Sequence, residues 1–258
     1  MADDLGDDWW EDDNKGDKSD EDIDLPAEDI PKPMDISGEP IEQKKKKKNK
    51  RKKITDELKE KGNTIGNVDD FIGFLSKQFE GKLSQVELDE IKLDKDRNFY
   101  LPNTDPAFPV AYFRSVLPKW KKLKESVTVE GSPVLLVICA SALRAVELSR
   151  QLNDFKGDKC KCAKLFAKHM KVTEQEKFLK KSVCHMGIGT PNRMLALLKS
   201  GYLKLDKMTA IVIDWNWRDV KKRRAVDIPE IKSELTSMFK QYLIPHVQTH
   251  LNCKIGML

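Results

Sequence analysis

The apolar positions of this chain change their period along its length. Val68, Phe71, Ile72, Leu75 and Phe79 recur at helical spacing and predict one face of an amphipathic helix; Val86, Leu88 and Ile91 continue the pattern. Phe108, Ala111, Phe113, Val116, Leu117, Trp120 and Leu123 predict a longer helix, opened by cap residues and a first-turn proline in Asn103-Thr104-Asp105-Pro106. Residues 134–139, Val-Leu-Leu-Val-Ile-Cys, are apolar without a break, which suits a strand buried on both faces. Leu143, Val146, Leu148 and Leu152 return to helical spacing, residues 163–167 read as a strand, and 173–181 as a helix. Two further runs with β-branched residues, 183–186 and 211–213, bracket a helix whose apolar side is Met194, Leu195, Leu197 and Leu198.

This alternation predicts an α/β fold, a parallel sheet with helices on both faces. Ligands of such sheets sit at the carboxyl edge of the strands. The loops Gly189-Thr190-Pro191-Asn192-Arg193 and Asp214-Trp215-Asn216-Trp217 both follow strands, so both are expected at that edge.

Composition divides the chain unevenly. Its 258 residues carry net charge +5, but residues 1–43 hold 17 acidic and 3 basic side chains, while residues 44–53 hold nine basic ones. The acidic stretch has too few apolar residues to offset the entropy of ordering, so residues 1–53 are expected to form a disordered tail ahead of a domain at 54–258. Lys44, Lys45, Lys46, Lys47, Lys48, Lys50, Arg51, Lys52 and Lys53 form a run that an import receptor reads, and that would also bind RNA phosphates without regard to sequence. Trp9 and Trp10, set among carboxylates, are candidate anchors for a partner protein, and Ser19 heads an acidophilic phosphorylation pattern. No run of the roughly 18 apolar residues needed for a membrane span occurs. An odd count of five cysteines without an export signal predicts reduced thiols. Cys160 and Cys162, one residue apart, do not match the usual zinc spacing, even with His169, Cys184 and His185 nearby, and no metal is expected.

Three segments resemble motifs of the first domain of DEAD-box RNA helicases, in order and spacing, over roughly residues 100–258. Residues 133–155 resemble the segment around "PTRELA", with Arg144 matching its arginine after a slip of one residue. Residues 189–194 resemble "TPGR" with Asn192 in place of glycine, and 211–217 the strand that ends in "DEAD". Together with the acidic tail and lysine run, this degenerate domain resembles the Cms-one ribosomal small-subunit homologue family. The resemblance implies one RecA-like domain, ending near Leu258 with the next sheet strand. It further implies a nucleolar protein of early small-subunit assembly, with RNA and pre-ribosomal assembly proteins as partners and a monomer outside the complex.

The residues argue against catalysis. A phosphate loop needs glycines, a lysine and a Ser or Thr. At the matching position the chain reads Pro102-Asn103-Thr104-Asp105-Pro106-Ala107, with a carboxylate where phosphate charge would lie. Asp214 retains the metal-side carboxylate, but Trp215 occupies the place of the glutamate that orients water. No cofactor is therefore expected. Thr190, Arg193 and Arg144 remain as candidates for RNA phosphate, Thr190 being equally suited to helix capping. Lys221, Lys222, Arg223 and Arg224 form a second basic candidate, with a solvated loop as the plainer reading. Trp215 and Trp217 are expected to seal the empty nucleotide cleft. Two alternatives stay open: a half-helicase that borrows catalytic groups from a partner, and a protein adaptor without RNA contact.

Overall fold

A computed structural model describes residues 65–258. Trp9, Trp10, Ser19, the lysine run and the expected boundary at residue 54 lie outside the described residues. Five parallel strands form the sheet: β1 (Leu135–Ile138), β2 (Cys162–Leu165), β3 (Met186–Gly189), β4 (Ala210–Ile213) and β5 (Lys254–Met257), in the order β2-β3-β1-β4-β5. The helices are α1 (Val68–Phe79), α2 (Gln85–Glu90), α3 (Lys95–Asn98), α4 (Pro109–Val116), α5 (Trp120–Glu125), α6 (Ala142–Gln151), α7 (Asn153–Lys156), α8 (Val172–Lys181), α9 (Pro191–Lys199), α10 (Pro229–Met238) and α11 (Ile244–Thr249).

Both faces of the sheet are covered. Leu136, Ile138, Ile211, Ile213, Ile255 and Met257 share one face, packed with Phe71 of α1, Met194 and Leu197 of α9 and Leu235 of α10. The alternate positions point the other way, as the two-residue period of a strand requires. On that side Tyr112 of α4 lies over Gly256, where an added Cβ would meet its hydroxyl oxygen at 2.8 Å. All four residues of β1, β3 and β4 are buried, which explains their unbroken apolar spelling.

Three local expectations shift. The third strand begins at Met186, three residues later than the apolar run 183–186 suggests, and it includes Gly187 and Gly189. Glycine is a poor strand former, yet here it is required: a Cβ on Gly189 would lie 1.9 Å from the Leu165 carbonyl oxygen. The long helix expected from Phe108 to Leu123 is two, α4 and α5, parted at Leu117-Pro118, since proline clashes with the preceding turn. Asn103 and Asp105 do not cap it; α4 starts at Pro109.

Candidate nucleic-acid interface at the carboxyl edge

β3, β1 and β4 are neighbours and parallel, so the loops after Gly189, Ile138 and Ile213 open on one edge. Thr190, Arg144 and Asp214 are brought to that edge as their sequence order predicts. What their side chains do there follows from burial.

Ser141 caps α6, accepting the Arg144 amide hydrogen at 3.1 Å, and so aims Arg144 across the strand ends. The Arg144 guanidinium grips Asp214 with two donors, Nε to Oδ2 at 2.7 Å and Nη2 to Oδ1 at 3.2 Å, and its Nη1 lies 3.2 Å from Glu147 Oε1. Asp214 is 2% exposed. Burial pushes its carboxyl upward, and Arg144 pulls it back. Burial acts downward on Arg144, but the bonds to Asp214 outweigh it and raise its already high pKa. The Trp217 ring faces the same guanidinium at 5.8 Å.

Trp215 is buried at 3% exposure, edge-on to Phe71 at 5.4 Å, with the Arg224 guanidinium 5.6 Å from its ring centre. Gly66, just ahead of α1, lies against this indole: a Cβ there would meet Trp215 Nε1 at 2.1 Å. Gly66 donates its amide to Asn216 Oδ1 at 2.7 Å, while Asn216 Nδ2 donates to the Leu258 carbonyl at 3.1 Å. Trp215 thus fills the region beyond β4 as a core residue.

At the phosphate-loop position, Phe99 pairs in parallel with Ile255, and the Tyr100 and Asn103 amides donate to Ile255 and Met257. The loop that follows closes on itself. Asp105 N–H donates to Asn103 Oδ1, and Ala107 N–H to Asp105 Oδ1, each at 3.1 Å; Phe108 N–H donates to the Asp105 carbonyl at 3.2 Å.

Thr190 is the backbone N-cap of α9, but its side chain makes no capping bond, and the residue is half-buried. Arg193 is 6% exposed, and its Nη1 donates to the Met170 carbonyl at 2.9 Å and Gln175 Oε1 at 2.8 Å, tying α9 to α8. Asn192 donates to Glu234 on α10. In the later loop Lys221 and Lys222 are exposed, Arg223 pairs with Asp219 at 2.8 Å, and Arg224 is half-buried over Trp215. Among the described residues no cluster of His, Cys, Asp or Glu suits a metal ion, and no helix is long and apolar enough to cross a membrane. None of the five cysteines is in a disulfide, and burial raises the Cys160 and Cys184 thiols to about 12.

A family profile described as "CMS1: U3-containing 90S pre-ribosomal complex subunit" matches residues 12–254. The chain belongs to the CMS1 family. Membership assigns it to ribosome biogenesis, in association with pre-ribosomal components. Protein CMSS1 of Homo sapiens is 36% identical, covering 100% of both chains, and that of Xenopus laevis 37% identical, covering 95% of each. Protein CMS1 of Chaetomium thermophilum is 31% identical over 66% of this chain and 69% of its own. Among solved structures, a DEAD box protein from Methanococcus jannaschii matches at TM-score 0.36 and 17% identity, covering 69% of this chain and 48% of its own. Mss116p, solved with ssRNA and AMP-PNP, matches at TM-score 0.42 and 16% identity, covering 82% of this chain and 41% of its own. This chain therefore spans less than half the length of either solved protein.

Proposed function

We propose that this CMS1-family chain is a non-catalytic nucleolar factor of small-subunit assembly, whose helicase-like domain holds RNA and no longer binds ATP. The observation that carries this reading is the self-satisfied loop at residues 103–108. A phosphate loop works because its amide hydrogens point outward at the ligand. Here those of Asp105 and Ala107 point inward, at Asn103 and Asp105 side-chain oxygens, and the Asp105 carboxylate adds repulsion. Both Asp214 oxygens are taken up by Arg144, so recruiting them to a nucleotide-bound magnesium would leave the guanidinium without its partner. Trp215 cannot orient a water. Phosphoryl transfer then lacks phosphate positioning, metal placement and nucleophile alignment together.

RNA contact at this edge would use groups that remain open. The Thr190 hydroxyl and the Asn192 and Arg193 amides have no acceptor among the described residues, and Lys221 and Lys222 are exposed. Arg144 and Arg193 act in this reading by holding the loops in place. The run at 44–53 adds nuclear import and unspecific RNA affinity. A partner could supply a second domain to a half-helicase, but not a phosphate loop inside this one.

Calorimetric titration of the full-length protein with magnesium-ATP should give no saturable heat. Binding in the micromolar range usual for enzyme substrates would overturn the reading.

A further inference from the structure

Three separate parts of the chain meet at the opposite, amino edge of the sheet. Lys124 of α5 donates its Nζ to the carbonyls of Lys156 at 2.6 Å and Asp158 at 3.1 Å, and Trp120 Nε1 donates to the same Lys156 carbonyl. The Lys161 amide donates to His185 Nδ1 at 2.8 Å, and the His185 amide returns a bond to the Lys161 carbonyl, joining the starts of β2 and β3. Burial, and then the charges of Lys124 and Lys161, hold the His185 pKa below its ordinary value, so both lysines act on the same ring. Lys180 and Lys181 end α8 just before this point.

The segments 119–125, 156–161 and 180–181 contain nine lysines against two carboxylates, Glu125 and Asp158. Lys121, Lys122, Lys159, Lys161, Lys180 and Lys181 are exposed and form no ion pair among the described residues. Lysines at this density repel one another. They are stabilised by whatever anion lies across them.

The surroundings narrow the anion's class. None of the large exposed apolar side chains of the domain lies in these segments, whereas a protein interface has an apolar, charge-poor centre. Trp120 is 7% exposed and stacked on Phe155 at 4.9 Å, so it offers no platform for an unpaired base. Cations without an apolar centre or aromatic platform suit a phosphate backbone, whose contacts position a nucleic acid without reading its sequence.

We propose that the amino edge of the sheet binds the phosphate backbone of structured RNA, without reading bases, through the lysines of α5, of residues 156–161 and of the end of α8. This rests on the reading of the chain as RNA-associated, and places the main contact on the face away from the motif loops.

The test uses the full-length protein with the nine cations of residues 44–53 replaced by glutamine, because that run would mask smaller losses. Fluorescence anisotropy with two RNA hairpins of unrelated sequence is read at several salt concentrations. Lys121→Gln, Lys122→Gln, Lys159→Gln and Lys161→Gln together should weaken both hairpins equally, by more than about tenfold, and lower the salt slope by about 3 to 4 counterions. The four matching arginine variants should bind as the parent, and all should melt at the parent's temperature. Unchanged affinity and slope in the glutamine variant would overturn this face while leaving RNA association standing. Loss of polyglutamate binding with RNA binding intact would assign the face to an acidic protein instead. If the run-neutralised chain binds no RNA at all, the domain is not an RNA binder, and both readings fall.

Discussion

At the carboxyl edge the guanidiniums of the motif loops are turned inward: Arg144 holds Asp214, Arg193 holds Met170 and Gln175, and Arg224 covers Trp215. The same edge exposes apolar side chains, with Leu101, Phe108, Leu143 and Val220 all at least 63% accessible. At the amino edge the arrangement is inverted, with aromatic residues inside and, outside, lysines that form no ion pair among the described residues. Motif spelling therefore locates an edge but not its surface chemistry. A residue type suited to phosphate becomes an internal strut where a buried acceptor, such as the Asp214 carboxylate or the Gln175 amide oxygen, lies within its reach.

The largest expected break in this contrast is Arg144→Ala. It leaves the buried Asp214 carboxylate uncompensated, and should cost about 3–5 kcal/mol in chemical denaturation, whereas Arg144→Met with Asp214→Leu should stay close to the parent. A stable Arg144→Ala protein with weakened RNA binding would show instead that the guanidinium faces a ligand. Gly66→Ala comes next. Its Cβ collides with the Trp215 ring, so the loss of about 1–3 kcal/mol expected for overpacking should accompany an altered near-ultraviolet signal. An unperturbed variant would mean that the segment before α1 is not seated on Trp215. The smallest effect is at the amino edge. His185 has a depressed pKa in the folded protein, so its contribution to stability is present above the unfolded value of about 6.5 and fades as pH falls through it towards the folded value. Lys161→Gln should raise the His185 titration followed by NMR, and so should RNA bound on this face. A titration indifferent to RNA would count against contact there.

Much of the fold was legible because buried strands must be apolar: residues 134–139 and 211–213 could hardly be anything else. The edges of elements were less so. Gly187 and Gly189 conceal β3, since the reason for a glycine there is the Leu165 carbonyl on another strand, invisible in local spelling. Helical spacing runs unbroken from Phe108 to Leu123, and Pro118 within it is the residue that parts the two helices. Asp214 and Arg144 each stand out in the sequence, but their pairing spans 70 residues and depends on which way α6 points. The amino-edge lysines lie in three segments, none of which reads as a basic motif alone. Only the parallel pairing of β2 with β3 brings residues 156–161 beside 180–185.

Asn216 bonds Gly66 at a sequence separation of 150 residues, and this sets an order of events during synthesis. The face of α1 formed by Phe71, Leu75 and Phe79 leaves the ribosome long before Trp215 and β5 exist to cover it. At ordinary elongation rates the gap is about 10–30 s, far longer than a helix needs to form. For that interval the nascent chain exposes three aromatic and aliphatic anchors, the kind of surface that aggregates before its cover exists, and sealing of the carboxyl edge waits for the end of the domain.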